Sequence, residues 1–331
     1  MKFLASVVLF FAAGAAVGAV PVTVDNFTRA ESDLFFSRIA TFGGFGKFLS
    51  ARNVTNVDFQ PVVRMNRDTI YSAAVLDLDA GPATITLPDA GGRFVTLQIF
   101  DEDEYSQPVV YKAGSLTLTR DLVGTRYALA IVRILVNPLD AADLAAARAY
   151  QDAIQLQQAN PGRFEIPAWD PVSQGRVRDS LFTLSGGIED SRGMFGSRAQ
   201  VDPVRHLIGT ATGWGGNFET DALYLMRTVP QNDGAKIYHL RLGDVPVDGF
   251  WSISVYNARG YFEKNALGSY SLNSLTATRN ADGSVDVQFG GCDGKIPNCL
   301  VTMAGWNYWV RLYRPHADVL NRSWQFPPVT E

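Results

Sequence analysis

The sequence predicts a mainly β protein with a helical insert: two β-sandwich domains in one chain, the second of them jelly-roll-like. Three observations lead there. Both halves of the chain break into short apolar runs bounded by Gly, Asn and Asp turns. The stretch between them, 140–215, turns to Ala-, Leu- and Gln-rich composition behind aspartates placed as helix caps. About 310 residues follow an apolar N-terminal run, more than one core usually holds. The expected division is 1–19 signal peptide, 20–60 N-terminal helical segment, 61–139 first sandwich, 140–215 helical insert and 216–331 second sandwich.

Met1-Lys2 precedes an uncharged run from Phe3 to Val20. Val17-Gly18-Ala19 fits a small-x-small cleavage pattern and Pro21 follows, which predicts a secretory signal cleaved near Ala19. The mature chain is then expected to be secreted, periplasmic if the source is a Gram-negative bacterium, with no stable membrane insertion. Without Lys2 it carries 28 Lys+Arg against 33 Asp+Glu, a formal charge of −5, which offers no basic footprint for nucleic acid. In an exported chain Cys292 and Cys299 read as a disulfide closing a short loop, their spacing being unlike the redox Cys-x-x-Cys. Asn26, Asn53 and Asn321 head Asn-x-Ser/Thr sequons, glycan acceptors in a eukaryotic host.

The elements follow in order. Thr28-x-x-Glu31 reads as a capping box, with Leu34, Phe35 and Ile39 at helical spacing and a stop at Gly43-Gly44. Arg93 to Phe100 alternates after the Gly91-Gly92 turn; Val109-Val110-Tyr111 and Leu116-Thr117-Leu118 are shorter strands; Arg126 to Val136 is apolar save for Arg133. In the insert, Asp140 caps a helix running from Ala141 to Gln158, Val177, Leu181 and Leu184 mark a second, and Asp202-Pro203 opens a third carrying His206. Asn232-Asp233-Gly234 reads as a hairpin turn before Lys236 to Leu242. Trp251, Ile253 and Val255 share one strand face, with Ser252, Ser254 and Tyr256 on the other. Asn280 to Gly283 turns into Ser284 to Phe289, and Trp306, Tyr308, Val310 and Leu312 line one side of the last strand.

Arg64 to Leu78 and Gly81-Pro82 to Phe100, then Pro246 to Asn257, Tyr270 to Asn273 and Gly305-Trp306-Asn307-Tyr308 to Arg314-Pro315, carry a family likeness. Over nearly the whole mature chain the sequence resembles proteins with the paired domains of unknown function 1254 and 1214. The resemblance implies two β-sandwich domains in a protein that is usually exported. It implies no activity and transfers no catalytic residue. Asp101-Glu102-Asp103-Glu104 departs from it in being more acidic than many members.

The richest chemistry sits just before a buried-looking strand, in Arg64-Met65-Asn66-Arg67-Asp68-Thr69-Ile70-Tyr71. Extended at about 3.3 Å per residue, Arg64 and Asp68 would stand roughly 13 Å apart, too far to pair. Either Asn66 bends the chain in an Asx-type turn, or each charge finds a partner elsewhere. Trp214, flanked by glycines in Gly213-Trp214-Gly215-Gly216, offers a large flat contact. The leading expectation is a small organic molecule held in a cleft between the domains by Arg64, Asn66, Arg67, Asp68, Tyr71 and Trp214. Its structural counterpart makes the same stretch an anchor of the inter-domain seam and Trp214 a lid over the core. A second expectation is a hydrolase or isomerase with His206 as base and Asp68 or Glu102 as acid, although no Gly-x-Ser-x-Gly elbow is present. A third is a structural or assembly protein without a ligand. No cofactor is implied. The acidic run lacks the spaced ligands and glycine of a calcium loop and reads as a solvated turn, and scattered His206, His239 and His316 complete no zinc site.

Overall fold

A computed structural model describes residues 18–331; the expected signal segment, apart from its last two residues, lies outside them. Helix α1 (Phe27–Ile39) opens at Asn26 and leaves the expected capping box unused. Asn26 Oδ1 accepts from Thr23 N–H at 2.8 Å, shaping the turn before the helix, and Glu31 is buried, taking hydrogen bonds from Gln174 and Arg178. A π turn over Ala40–Gly44 ends it, with Gly43 at φ 97°, a conformation glycine adopts without strain.

The first sandwich follows. Strands β1 (Leu49–Ala51), β2 (Thr69–Asp77), β3 (Ala83–Leu87), β4 (Val95–Phe100) and β5 (Gly114–Leu118) precede one turn of helix, α2 (Arg120–Val123), and the long β6 (Tyr127–Leu135). Sheet β1-β2-β6-β4 is antiparallel, with β2 and β6 paired from Thr69↔Leu135 to Asp77↔Tyr127. Ile70, Leu76, Leu97, Val132 and Ile134 point from it onto Ile85 and Leu118 of the second sheet. Val109–Tyr111 makes only an isolated bridge, Leu97↔Val110, where a strand was expected.

Asp140 caps α3 (Ala141–Ala153) as expected, accepting from Ala142 and Asp143 N–H. The helix stops short of Gln158: β7 (Gln155–Gln158) pairs with β3 and completes the sheet β5-β3-β7. Ile154 and Leu156 pack on the first core, and Gln158 Nε2 donates to Asp77 O and Gly81 O, contacts that a continuing helix would forfeit. α4 (Pro171–Leu184) is longer than its apolar spacing suggested, because Asp170 caps it and Pro171 opens it. α5 (Pro203–Gly213) repeats that arrangement behind Asp202.

The second sandwich is built from β8 (Ala222–Arg227), β9 (Tyr238–Leu242), β10 (Trp251–Tyr256), β11 (Ser271–Asn273), β12 (Val285–Phe289), β13 (Cys299–Leu300) and β14 (Asn307–Tyr313), with a last turn α6 (Ala317–Leu320). Sheet β11-β10-β14-β8 faces sheet β13-β12-β9 across Trp251, Ile253, Val255, Val287, Tyr308 and Val310. Asn232-Asp233-Gly234 is no hairpin turn, since β8 and β9 belong to different sheets and the segment crosses between them. Gly234 sits at φ +82°, and a Cβ there would meet the Met303 backbone at 2.7 Å.

The helices fill the space between the two four-stranded sheets. Phe35 and Phe36 of α1 pack on Ala73, Val75 and Leu129 of the first sheet's outer face. Phe27 and Ala30 of α1, Leu181 of α4 and Ile208 of α5 join Tyr224, Tyr256 and Trp309 on the second sheet's. Each sheet is therefore covered on both faces, and the polar side chains on its outer face are buried with the apolar ones. Among the described residues no helix is long and apolar enough to cross a membrane.

Cys292 and Cys299 form the expected disulfide, with Cα atoms 5.7 Å apart. It ties the start of β13 to the loop leaving β12. On the chain-entropy model a loop this short contributes about 2–3 kcal/mol. Urea unfolding of Cys292→Ser/Cys299→Ser against the wild type should show a loss of that size with the fold retained; no shift in midpoint would mean the bond stabilises nothing.

Candidate functional site

The Arg64–Thr69 stretch resolves its own spacing problem in both of the foreseen ways. Asn66 Oδ1 accepts from Asp68 N–H (3.1 Å), Thr69 N–H (3.2 Å) and the Thr69 hydroxyl (3.1 Å), bending the chain in an Asx-type turn. Its amide donates to Tyr313 OH at 3.2 Å. Each charged side chain then goes its own way. Arg67 donates to Thr55 O and lies over the Tyr270 ring at 5.1 Å. Asp68 is fully buried and accepts from Asn273 Nδ2 at 3.1 Å, its second oxygen having no hydrogen-bond partner among the described residues. Burial pushes its carboxyl above the usual range, against the opposing pull of the Arg311 charge.

Arg64 stands at φ 56°, held open by its neighbours in the second half of the chain. Its N–H donates to Gly260 O (2.8 Å), and its carbonyl accepts from Arg311 Nη2 (2.7 Å). Its guanidinium lies between the rings of Phe182 (4.9 Å) and Trp309 (4.8 Å), donates from Nη1 to Thr212 O (2.9 Å) and leaves a buried Nε without a partner among the described residues. Burial lowers the side chain to about 10.

Beside this guanidinium opens a cavity of about 640 Å³ between the outer faces of the two four-stranded sheets. Tyr71, Ala73, Leu129 and Ile131 line it from the first sandwich, and Trp309, Arg311 and Tyr313 from the second. The π turn, residues 49–56 and the loop Gly213–Asn217 close its sides. Of the residues singled out in the sequence, Arg64, Asn66, Tyr71 and Trp214 meet on its wall, whereas Arg67 and Asp68 turn away from it. Trp214 is buried against Phe35 (4.6 Å) and Phe100 (5.4 Å) with its N–H on Ser32 Oγ (3.2 Å), so it is at once core and cavity wall. Close packing shapes its loop: a Cβ on Gly216 would come within 2.4 Å of the Phe195 ring.

His206, Asp68 and Glu102 are not brought together. Among the described residues no hydrogen bond joins them, and none of the three lines the cavity. Both ring nitrogens of His206 are turned onto main-chain oxygens, Met194 O at 2.8 Å and Asp103 O at 3.0 Å, and the ring stacks on Tyr105 at 4.7 Å. Glu102 accepts from Tyr127 N–H at 3.1 Å and faces a separate polar hollow beside Arg29. The acidic run is not the solvated turn expected of it, because Glu102 and Glu104 are buried. Glu104 stands at φ 61° and accepts the Gly215 N–H at 2.7 Å, which braces the loop carrying Trp214. Burial pushes its carboxyl up, with His206 pulling the other way. The three sequons lie at the surface, Asn53 and Asn321 exposed and Asn26 half-buried.

Sequence reasoning missed four arginines of the cavity wall: Arg38, Arg52, Arg133 and Arg311. Arg133 and Arg311 are buried in mid-strand, held respectively by Gln98 Oε1 and Gly215 O and by Ser254 Oγ and Tyr256 OH. One signal was available: Arg133 is the single charge in an otherwise apolar strand, an interruption that needs a buried partner.

Two sandwiches apposed through helices around one arginine-lined cavity define a two-domain β architecture, and the comparisons with known proteins agree with it. Residues 45–121 match the family described as Protein of unknown function (DUF1254), and residues 221–317 match Protein of unknown function (DUF1214). The chain belongs to the family of proteins that carry these two domains together. The crystal structure of the VPA0106 protein from Vibrio parahaemolyticus is similar at 18% identity and a TM-score of 0.67, covering 93% of this chain and 97% of that one. An uncharacterized protein from Burkholderia cenocepacia is similar at 12% identity and a TM-score of 0.49, covering 92% of this chain and 86% of that one. No curated protein matches the chain. At these identities the first likeness speaks for the fold alone.

The buried acids give stability a pH dependence of definite sign. Burial raises Asp33 and Asp101 to about 6, and Glu104 moves in the same direction. The unfolded carboxyls release their protons near 4 while the folded ones hold them longer, so unfolding releases protons in between. The stabilisation is complete below about pH 4 and is lost as pH rises through about 6. Thermal or urea midpoints should fall between pH 5 and pH 7.5, and Glu104→Gln should shrink that fall; an unchanged slope would show that Glu104 is not protonated in the fold.

Proposed function

We propose that this is an exported protein that holds a small organic molecule in the cavity between its two sandwiches. One observation carries the reading: a cavity of about 640 Å³ whose wall is assembled from both four-stranded sheets and from the helical segments between them. That volume falls within the roughly 300–1,000 Å³ of small-molecule sites, and domain interfaces are where such sites concentrate. In this reading 61–139, completed by β1 and β7, and 216–331 are the two walls, and α1, α4 and α5 are the packing that fixes their separation. Arg64, Asn66, Tyr71 and Trp214 are the contact residues, while Arg67 and Asp68 hold the stretch in place from behind. Trp214 and Trp309 supply rigid aromatic surface at little entropic cost. Export is supported by the disulfide and by the apolar segment ahead of Val20.

Filling the cavity tests this. Ala73 is buried on the β2 face that lines it. Wild-type protein incubated with a small-molecule extract of its host and examined by native mass spectrometry should retain a low-mass adduct. Ala73→Trp, shown by circular dichroism to fold, should retain at least ten-fold less. Equal retention by the two proteins, or none by either, would contradict the reading.

A further inference from the structure

Resting on that reading, we infer that the ligand is an amphipathic anion, an apolar body carrying one carboxylate, with its charged end at Arg64. The cavity wall is lopsided in charge. Among the described residues it takes five arginines, Arg38, Arg52, Arg64, Arg133 and Arg311, and no Asp or Glu. Arg52 is the one with an ion-pair partner at its guanidinium, Asp152 at 2.6 Å. The other four are held by neutral oxygens: Arg38 by Pro61 O, Arg64 by Thr212 O, Arg133 by Gln98 Oε1 and Gly215 O, and Arg311 by Ser254 Oγ, Tyr256 OH and Arg64 O. Asp68 acts on Arg311 only at a distance, beyond ion-pair reach, and does not face the cavity.

Buried cations without counter-charges are expensive, and a chain with more acids than bases had carboxylates to spare for them. Leaving the cavity side bare of acids places positive potential where an incoming anion completes the charge balance. Arg64 is the group prepared for it. Its plane is clamped between Phe182 and Trp309, so little side-chain entropy remains to be lost; Nε is sealed inside the protein, whereas Nη2 stays accessible and makes no hydrogen bond among the described residues. A guanidinium fixed in this way suits a carboxylate, which accepts from two N–H groups at once.

The rest of the wall selects the other end of the molecule. Ile39, Leu129, Ile131 and Trp214 are apolar. Phe42 and Phe59 also line the cavity yet are 59% and 60% exposed, with their rings 6.2 Å apart edge to face. Two solvent-facing phenylalanines at an opening are costly for a site that admits only polar molecules, and they suit one that admits an apolar chain.

Titration calorimetry with three probes of one chain length tests the inference: dodecanoate, methyl dodecanoate and dodecylammonium. Wild-type protein should bind dodecanoate at least ten-fold more tightly than the ester, bind the amine most weakly, and lose the advantage of the acid as salt is raised. Arg64→Gln should bring acid and ester to within about two-fold, and Arg64→Lys should restore part of the difference. Should Arg64→Gln fail to fold, the wild-type ranking and its salt dependence decide the matter alone. Ester or amine binding as well as the acid would overturn the anion assignment while leaving the cavity a binding site. Failure of all three probes to bind would count against both the assignment and the reading beneath it.

Discussion

Arg311 is the point on which the two halves of the chain meet. Its guanidinium lies in the middle of β14 on the face away from the second core, buried beneath the Arg64 segment at the cavity wall. A charge in that position must be answered by oxygen. It draws in Ser254 Oγ and Tyr256 OH from the neighbouring strand and, from the first half of the chain, the carbonyl of Arg64. Tyr256 passes the contact on by donating to Met65 O at 2.7 Å, and Tyr313 accepts from the Asn66 amide. The segment leading into β2 is thus written onto the outer face of β10 and β14 through three consecutive residues.

Much else depends on that attachment. With Arg64 fixed by its backbone, its side chain reaches back between Phe182 and Trp309, and the cavity gains a wall belonging to neither sandwich alone. Asn66 then turns the chain so that Thr69 begins β2 in register with β6. The Trp214 loop closes the opposite side through the same chemistry, with Arg133 and Glu104 gripping Gly215 by its carbonyl and its N–H. Both edges of the cavity are therefore main chain held by buried charge, an arrangement that keeps its shape better than side-chain packing would.

Local signals made the strands and helix starts legible. The alternation of Trp251, Ile253 and Val255 and of Tyr308, Val310 and Leu312 named the second core correctly, because a strand's two faces are set by its own period. Asp140 and Asp202 cap their helices because a cap needs only the next three residues. What failed needed distant partners. Asn232-Asp233-Gly234 announces a reversal but not the sheet to which the chain returns. Glu102 and Glu104 look solvated until α1, α5 and the Trp214 loop are packed over them. Within the candidate site, Arg64, Asn66, Tyr71 and Trp214 stood out because a charged, amide-rich or glycine-flanked segment is locally unusual. Arg311 did not, since an arginine alternating with apolar residues is what an exposed strand face looks like. Only the Arg64 segment laid across it makes it a buried charge.

The central claim is that Arg64, Met65 and Asn66 are held by the second sandwich around Arg311 rather than by their own sheet. Amide hydrogen exchange in wild type and Arg311→Met measures this directly. The Arg64 N–H, bonded to Gly260 O, and the Asp68 and Thr69 N–H groups, bonded to Asn66, should lose protection in the variant by far more than Ala74 and Val75 inside β2. Equal losses in the segment and in the strand, or no change at Arg64, would contradict the account.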